Sequence, residues 1–237
     1  MTPPFEVLYL DNHLLVVVKP SGMLAQGDAT GDADLVTLAK AYLKKRFDKP
    51  GNVFVGLVHR LDRPTSGVVM LARTSKAASR LSDQFRRRVP TKRYLAVVEG
   101  GLGDGGRWTE REDGIDKGDG GSVRVVPVGE GQRAALRYRT LAREGGQSLV
   151  EVELQTGRKH QIRAQLAALG VPIVGDFRYG TPTPFANGHG IALHAYRLVV
   201  EHPTKREPVT VIASPPSAWD GLFGEAVERA VTTAGQI

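Results

Sequence analysis

The stretch VFVGLVHRLDRPTSGVVML, residues 53–71, sets two short apolar runs, 53–58 and 68–71, on either side of a charged connection. Both runs are rich in β-branched residues and short enough to be buried strands. A connection between strands needs turn formers, and Pro64 and Gly67 supply them. It has no structural use for His59, Arg60, Asp62 and Arg63 together. Asp62 therefore has two readings. It is a turn carboxylate accepting the Thr65 or Ser66 backbone, or it is a nucleophile or general base held between strands by arginine partners.

Outward from this loop the pattern is mostly β. Residues 5–22, FEVLYLDNHLLVVVKPSG, read as two strands around an Asp11-Asn12 turn, closed by Pro20, Ser21 and Gly22. Residues 35–47 place Leu35, Leu38, Tyr42 and Leu43 at helical spacing behind an Asp34 N-cap. A second helix is expected from about Ser75 to Arg88, capped by Thr74, with Ala78, Leu81 and Phe85 inward. KRYLAVVEG (92–100), SLVEVEL (148–154) and IALHAYRLVV (191–200) read as strands, and in the second of these Glu151 and Glu153 are expected to face out. Residues 158–169 read as a third helix, with Ile162, Leu166 and Leu169 inward and Gly170 ending it. Three helices among many strands predict an α+β fold around a mixed, mostly antiparallel sheet flanked by helices. The stretch 101–131, rich in Gly, Asp and Arg, is expected to be a weakly structured insertion or flap. No linker or repeat divides the 237 residues, which predicts one domain, or two closely packed subdomains.

Composition narrows the class. The apolar share of 41% and charged share of 24% are those of a globular protein, but 32 Lys and Arg against 25 Asp and Glu leave a net charge of +7. A basic balance favours polyanionic partners, above all nucleic acid. With no cysteine, disulfides, thiolate catalysis and cysteine zinc sites are excluded. No apolar run approaches the roughly 20 residues of a spanning helix, and no signal core follows the start. We expect a cytoplasmic protein with no membrane association.

LQTGRKHQIR, residues 154–163, is the second unusual stretch. Arg158, Lys159, His160 and Arg163 cluster where a helix opens, and cations there oppose the helix dipole. The cluster is either a solvated basic face or a site for an anion, a carboxylate or an RNA phosphate. Tyr94 shares a strand face with Lys92 and Ala96, where a tyrosine is ordinarily core packing. Competing chemistries fail on order and spacing. HRLD is not the kinase H-R-D-L, and GLGDGG (101–106) is not a dinucleotide loop in a βαβ setting. The six histidines, His13, His59, His160, His189, His194 and His202, make no metal-binding cluster. An Asp–Arg site with no metal and no cofactor is what remains.

Together these segments resemble the RluA-type pseudouridine synthases. HRLDRPTSGVVMLART (59–74) is similar to that family's catalytic motif, VPTKRYLAVVEG (89–100) to its K-x-Y-x-A-x-V-x-G stretch, and residues 154–180 to its third motif, L-x-T-G-R-x-H-Q-I-R through G-D-x-x-Y-G. VVVKPSGM (16–23) and LHAYRLVVEHP (193–203) fit its framework, so the resemblance runs in order over about 5–213. It implies a pseudouridine synthase fold with a central RNA-binding cleft and isomerisation of uridines in ribosomal or transfer RNA without cofactor. It also implies a catalytic set of Asp62 as nucleophile, Tyr94 against the target base and Arg163 paired with the carboxylate. RNA contacts are expected from His59, Arg60, Arg63, Lys92, Arg158, Lys159 and His160, with Arg60 entering the space the base vacates. Further phosphate contacts are expected from 44–46, 86–88 and 205–206. The framework begins near Phe5, so a stand-alone catalytic domain without an S4-like N-terminal domain, and a monomer, are expected. Two rival readings are a non-catalytic RNA binder or ribosome-assembly factor on the same fold, and a hydrolase built on Asp62. The hydrolase lacks a second carboxylate or base at any motif spacing.

Overall fold

A computed structural model describes residues 3–181, 183–188 and 190–235; His189 lies outside the described residues. The chain opens as a hairpin of β1 (Glu6–Leu10) and β2 (Leu14–Lys19). Asp11 closes its turn by accepting the His13 and Leu14 N–H groups, each at 2.7 Å. Asp34 then accepts the Thr37 N–H at 3.1 Å and starts α1 (Leu35–Arg46), which turns Leu35, Ala39 and Leu43 inward. After β3 (Gly56–Leu57) and β4 (Ser66–Ala72) comes α2 (Ser75–Arg86), capped by Thr74. β5 (Thr91–Glu99), β6 (Thr109–Lys117), β7 (Val123–Val126), β8 (Gln132–Glu144) and β9 (Gln147–Leu154) form a run of strands before α3 (Gln161–Ala168). β10 (Leu193–Glu201), β11 (Pro208–Ile212) and α4 (Gly224–Ala234) complete the described chain.

All the named strands join one sheet in the order β1-β2-β4-β10-β5-β9-β8-β6-β7, with β3 on β4 and β11 on β10. The ladders are antiparallel except β4 with β10, where Ser66 and Gly67 lie opposite His194 and Ala195. This is the α+β architecture expected from the strand-rich pattern. Central strands are buried on both faces. On β2 and β4, Leu15, Val17, Val69 and Leu71 join the larger core with α1, α3 and α4, while Leu14, Val16, Val68 and Met70 join a smaller core under α2. Gly67 has φ +126°, and a Cβ there would come within 2.4 Å of the Ala195 carbonyl oxygen. Only glycine lets β4 lie this close to β10 as the chain leaves the Asp62 loop.

The structure corrects several sequence expectations. Of the run 53–58, only Gly56 and Leu57 pair as a strand, opposite Ala72 and Leu71. One edge of β4 is taken along its length by β2; on the other, β10 reaches only Ser66 and Gly67, and the His59 ring takes the Met70 N–H at 2.9 Å in place of a further ladder bond. The second helix stops at Arg86, and Arg88 turns left-handed with φ 62°. The third helix starts at Gln161 because His160 is left-handed, with φ 52° and ψ 20°, so Arg158, Lys159 and His160 form a turn ahead of it. The glycine-rich stretch expected to be weakly structured holds β6 and β7, tied to β8 through Arg133–Glu112 at 2.7 Å and internally by Arg124–Asp116 at 2.9 Å. Glu151 does not face solvent. It is 1% exposed, bonded to Arg93, Arg139 and the Tyr196 hydroxyl. Those arginines stack over Trp108, so the second face of β5, β8 and β9 carries an ion-pair ladder beside α4. α4 itself went unread, since only Ala226 and Ala234 of its residues are buried.

Candidate active site

The Asp62 loop spans the gap between β3 and β4 and is clamped from below by the segment that follows β2. Lys19 is wholly buried, and its ammonium donates to the carbonyls of Pro20 at 3.0 Å, Met23 at 2.8 Å and Arg63 at 3.1 Å. Burial pulls Lys19 down to about 7, with the Asp62 charge working in the opposite direction. The Gly22 N–H donates to the Arg63 carbonyl at 2.9 Å, and the Ser21 hydroxyl to the Pro64 carbonyl at 2.6 Å. A loop with so many main-chain bonds holds one conformation and leaves the Asp62 carboxylate free of the turn. The turn closes through the Asp62 backbone, where the carbonyl accepts the Thr65 N–H at 3.1 Å. The reading of Asp62 as a turn carboxylate is therefore not what forms.

The carboxylate instead meets α3. Arg163, 4% exposed, donates from Nη1 to Asp62 Oδ2 at 3.1 Å. Its other side grips Asp176, with Nε to Oδ2 at 2.6 Å and Nη2 to Oδ1 at 2.9 Å. Burial alone would lower the Arg163 guanidinium, but the Asp176 and Asp62 carboxylates outweigh it and hold it raised. The bidentate partner is Asp176, so Arg163 is anchored before it reaches Asp62.

A cavity of 580 Å³ opens over Asp62. Arg60, Arg86, Arg88, Lys92, Arg158 and Arg163 line it, and Asp62 is the one carboxylate among its described lining residues. Tyr94, Leu154, Ile162 and Leu193 supply apolar wall. Tyr94 is 8% exposed, and burial followed by the Asp62 charge pushes its phenol up, so it stays protonated. Lys92 is pulled down to about 8 by burial and by Arg88. A second cavity, of 490 Å³, shares Arg60, Asp62, His160 and Arg163 with the first and is closed by residues 24–28.

The other expected contacts divide. Arg60 is exposed between the two cavities. Arg158 lines the first while donating from Nε to the Arg133 carbonyl at 3.0 Å, and Lys159 is exposed beyond it. His59 does a different job. Its Nε2 accepts the Met70 N–H at 2.9 Å, its ring stacks on Phe85 at 4.6 Å, and burial takes it down to about 3. A neutral imidazole already bonded to β4 braces the loop and offers no charge to a phosphate. Arg63 is absent from the first cavity and lines the second, and it pairs with Asp32 at 2.7 Å and the Gly22 carbonyl at 3.0 Å. His160 sits with Nε2 3.8 Å from Asp62 Oδ2 and Nδ1 2.9 Å from the Tyr179 hydroxyl. The sequence reading missed Lys19 and Tyr179; the signal for the first is a lone cation at the end of the apolar run LLVVVK.

Chemically this is a carboxylate with one strong cationic partner, set in a cation-lined cleft beside a protonated phenol. It suits attack on an electron-poor carbon, or removal of a proton, within a bound polyanion. Among the described residues, no group of three or more His, Cys, Asp or Glu is placed to hold a metal, and no helix is long and apolar enough to cross a membrane.

Residues 13–168 match the family model described as RNA pseudouridylate synthase. The chain is 37% identical over 243 residues to a ribosomal large subunit pseudouridine synthase D of Xanthomonas campestris, covering 98% of this chain and 72% of that protein. It is 32% identical over 224 residues to a dual-specificity RNA pseudouridine synthase RluA of Haemophilus influenzae, covering 89% of this chain and 93% of that one. Among solved structures, human RNA pseudouridylate synthase domain containing 4 has the same fold, with a TM-score of 0.73 at 22% identity over 96% of this chain and 93% of that one.

Proposed function

The chain belongs to the RNA pseudouridylate synthase family, and from that premise we propose that Asp62 is the nucleophile with which it isomerises uridine to pseudouridine in ribosomal or transfer RNA. The observation that carries the reading is the Asp62 carboxylate, held by Arg163 at 3.1 Å in a cavity with six cationic side chains, where it is the one carboxylate among the described lining residues.

Isomerisation breaks the N1–C1′ bond of uridine, turns the base and joins C5 to C1′. The C5 proton leaves to solvent and N1 takes one up, so the reaction is redox-neutral and atoms balance without a co-reactant. Asp62 supplies the negative charge beside the sugar or the base, and Arg163 orients it. The target leaves its stack at a cost of a few kcal/mol, which base contact with Tyr94 offsets by about 1–3 kcal/mol. Arg60, free of any partner among the described residues, fills the vacated space. Arg88, Lys92 and Arg158 receive the backbone phosphates. We place this chemistry in one catalytic domain, acting as a monomer in the cytoplasm with no metal.

The test is tritium release from RNA labelled at uridine C5, taken from cells lacking this gene. Release by the wild-type chain and none by Asp62→Asn, with RNA affinity retained, is the expected result. Turnover by Asp62→Asn would remove the nucleophile assignment.

A further inference from the structure

Behind Asp62, hydrogen bonds lead out to the glycine-rich hairpin. The Val123 N–H, at the start of β7, donates to the Tyr179 hydroxyl oxygen at 2.9 Å. That hydroxyl lies 2.9 Å from His160 Nδ1, and His160 Nε2 faces Asp62 Oδ2 at 3.8 Å. Beside it, Arg178 Nη1 donates to the Gly120 carbonyl at 2.5 Å, so the same turn is held at two points. Tyr179 also lies under Arg163, whose guanidinium carbon is 5.1 Å from the ring centroid. One phenol thus touches both residues that face the Asp62 carboxylate.

Only one placement of protons satisfies every group. The Tyr179 oxygen already accepts from Val123, and its own proton has no acceptor nearer than His160 Nδ1 among the hydrogen bonds of the described residues. Donating there leaves Nδ1 as acceptor and puts the imidazole proton on Nε2, toward the carboxylate. The alternative tautomer strands the phenolic proton and turns a nitrogen lone pair on Asp62. The ring stays neutral, because burial, with Arg163, Lys159 and Arg178 nearby, outweighs Asp62 and takes it down to about 4. The ring is carried on a left-handed backbone, with φ 52° and ψ 20° at His160, a conformation disfavoured for a residue with a Cβ.

We propose that Tyr179 is a positioning residue for the isomerisation: it fixes the His160 proton on Nε2, where it steadies the Asp62 carboxylate against Arg163, and the docked 118–126 turn keeps the phenol in that role. The proposal rests on the reading of Asp62 as nucleophile. At 3.8 Å the His160–Asp62 contact is longer than a hydrogen bond, and the role requires it to tighten when RNA fills the cleft, as catalytic hydrogen bonds do between free and bound states. The hairpin then acts on the site from outside the lining of either cavity. Its docking sets which nitrogen of a distant imidazole carries the proton.

The test reads the tautomer directly, by ¹⁵N correlation of the His160 ring in the full chain, beside single-turnover rate and RNA affinity. The wild-type ring is expected to carry its proton on Nε2. Tyr179→Phe keeps the ring over which Arg163 lies but removes the hydroxyl. It is expected to mix the tautomers and slow turnover roughly 10- to 100-fold, with RNA affinity within about twofold. Val123→Pro removes the N–H that the Tyr179 oxygen accepts and sets the ring Cδ in its place, undocking the turn from the phenol, at a site where Ser122 is already extended as a residue before proline must be. A smaller loss of the same kind is expected from it, and it carries the test if the phenylalanine variant misfolds. A wild-type ring protonated on Nδ1, an unchanged rate in both variants, or equal losses of rate and affinity would each overturn the proposal. Asp62→Asn separates the two readings. Inactivity of that variant with a His160 proton on Nδ1 removes only the role of Tyr179, whereas turnover by that variant removes the nucleophile and this role with it.

Discussion

Arg163 divides its guanidinium unequally between two carboxylates, and that inequality predicts a separation of stability from activity. Asp176 is 1% exposed and takes two short charge-assisted bonds, at 2.6 and 2.9 Å. The Asp62 side chain is 22% exposed and takes one, at 3.1 Å. Asp176→Asn leaves a buried guanidinium with an uncharged amide, one of whose two terminal groups is an NH2 that cannot accept, and breaking a buried pair of this kind costs about 3–5 kcal/mol. For a chain of this length that lowers Tm by roughly 10 °C. Asp62→Asn gives up one longer bond at a site water reaches, worth below about 1 kcal/mol, so its Tm shifts by no more than about 3 °C. Thermal unfolding followed by circular dichroism, with tritium release measured on the same samples, reads both quantities. Both variants lose turnover, the first because Arg163 is no longer aimed and the second because the nucleophile is gone. Equal destabilisation by the two substitutions, or an Asp176→Asn chain as stable as wild type, would refute the assignment of Asp176 as the anchor.

Two further outcomes follow from charge. His59 and His194 are held by burial at about 3 and about 4, below the ordinary histidine value of 6.5. The unfolded chain therefore binds more protons than the folded one, and stability falls as pH drops from 6.5 toward those values. At pH 5 the loss is about 2 kcal/mol for each imidazole, read as a falling urea midpoint; a midpoint flat between pH 6.5 and 5 would contradict it. Arg88 lines the cleft with no ion-pair partner among the described residues, whereas Arg86 and Arg87 share Asp83. Arg88→Ala is expected to weaken RNA binding alike for all sequences and to reduce the salt slope by about 1. An unchanged slope would remove Arg88 from the phosphate track.

The fold class and the place of the candidate site were legible because both are written in local pattern. Apolar runs, the Asp34 and Thr74 caps and the surplus charge of HRLDRPTSG are properties of neighbours in sequence. What escaped depends on partners far apart in it. His59 was expected to contact RNA, but Phe85 and the Met70 N–H, supplied by α2 and β4, make it a neutral brace. Glu151 alternates outward by strand rule, yet Arg93, Arg139 and Tyr196 converge on it from three strands and keep it inside. Tyr179 was given no role of its own because its partners, Val123 and His160, lie 56 and 19 residues away. The third helix was begun too early because the left-handed turn at His160 has no glycine or asparagine to announce it.

Lys19 makes the Asp62 loop reportable without any RNA. Its amine is fully buried beneath three carbonyls of the two segments that form the clamp, so an acylating reagent reaches it only when those segments part. The value of about 7 belongs to the buried amine alone; once uncovered it returns toward the ordinary lysine value and reacts as an exposed lysine does. The rate at which this lysine is labelled, set against that of exposed Lys159, measures how often the loop opens. Slower labelling with a bound oligonucleotide would mean that RNA holds shut the same clamp that the folded chain builds for itself.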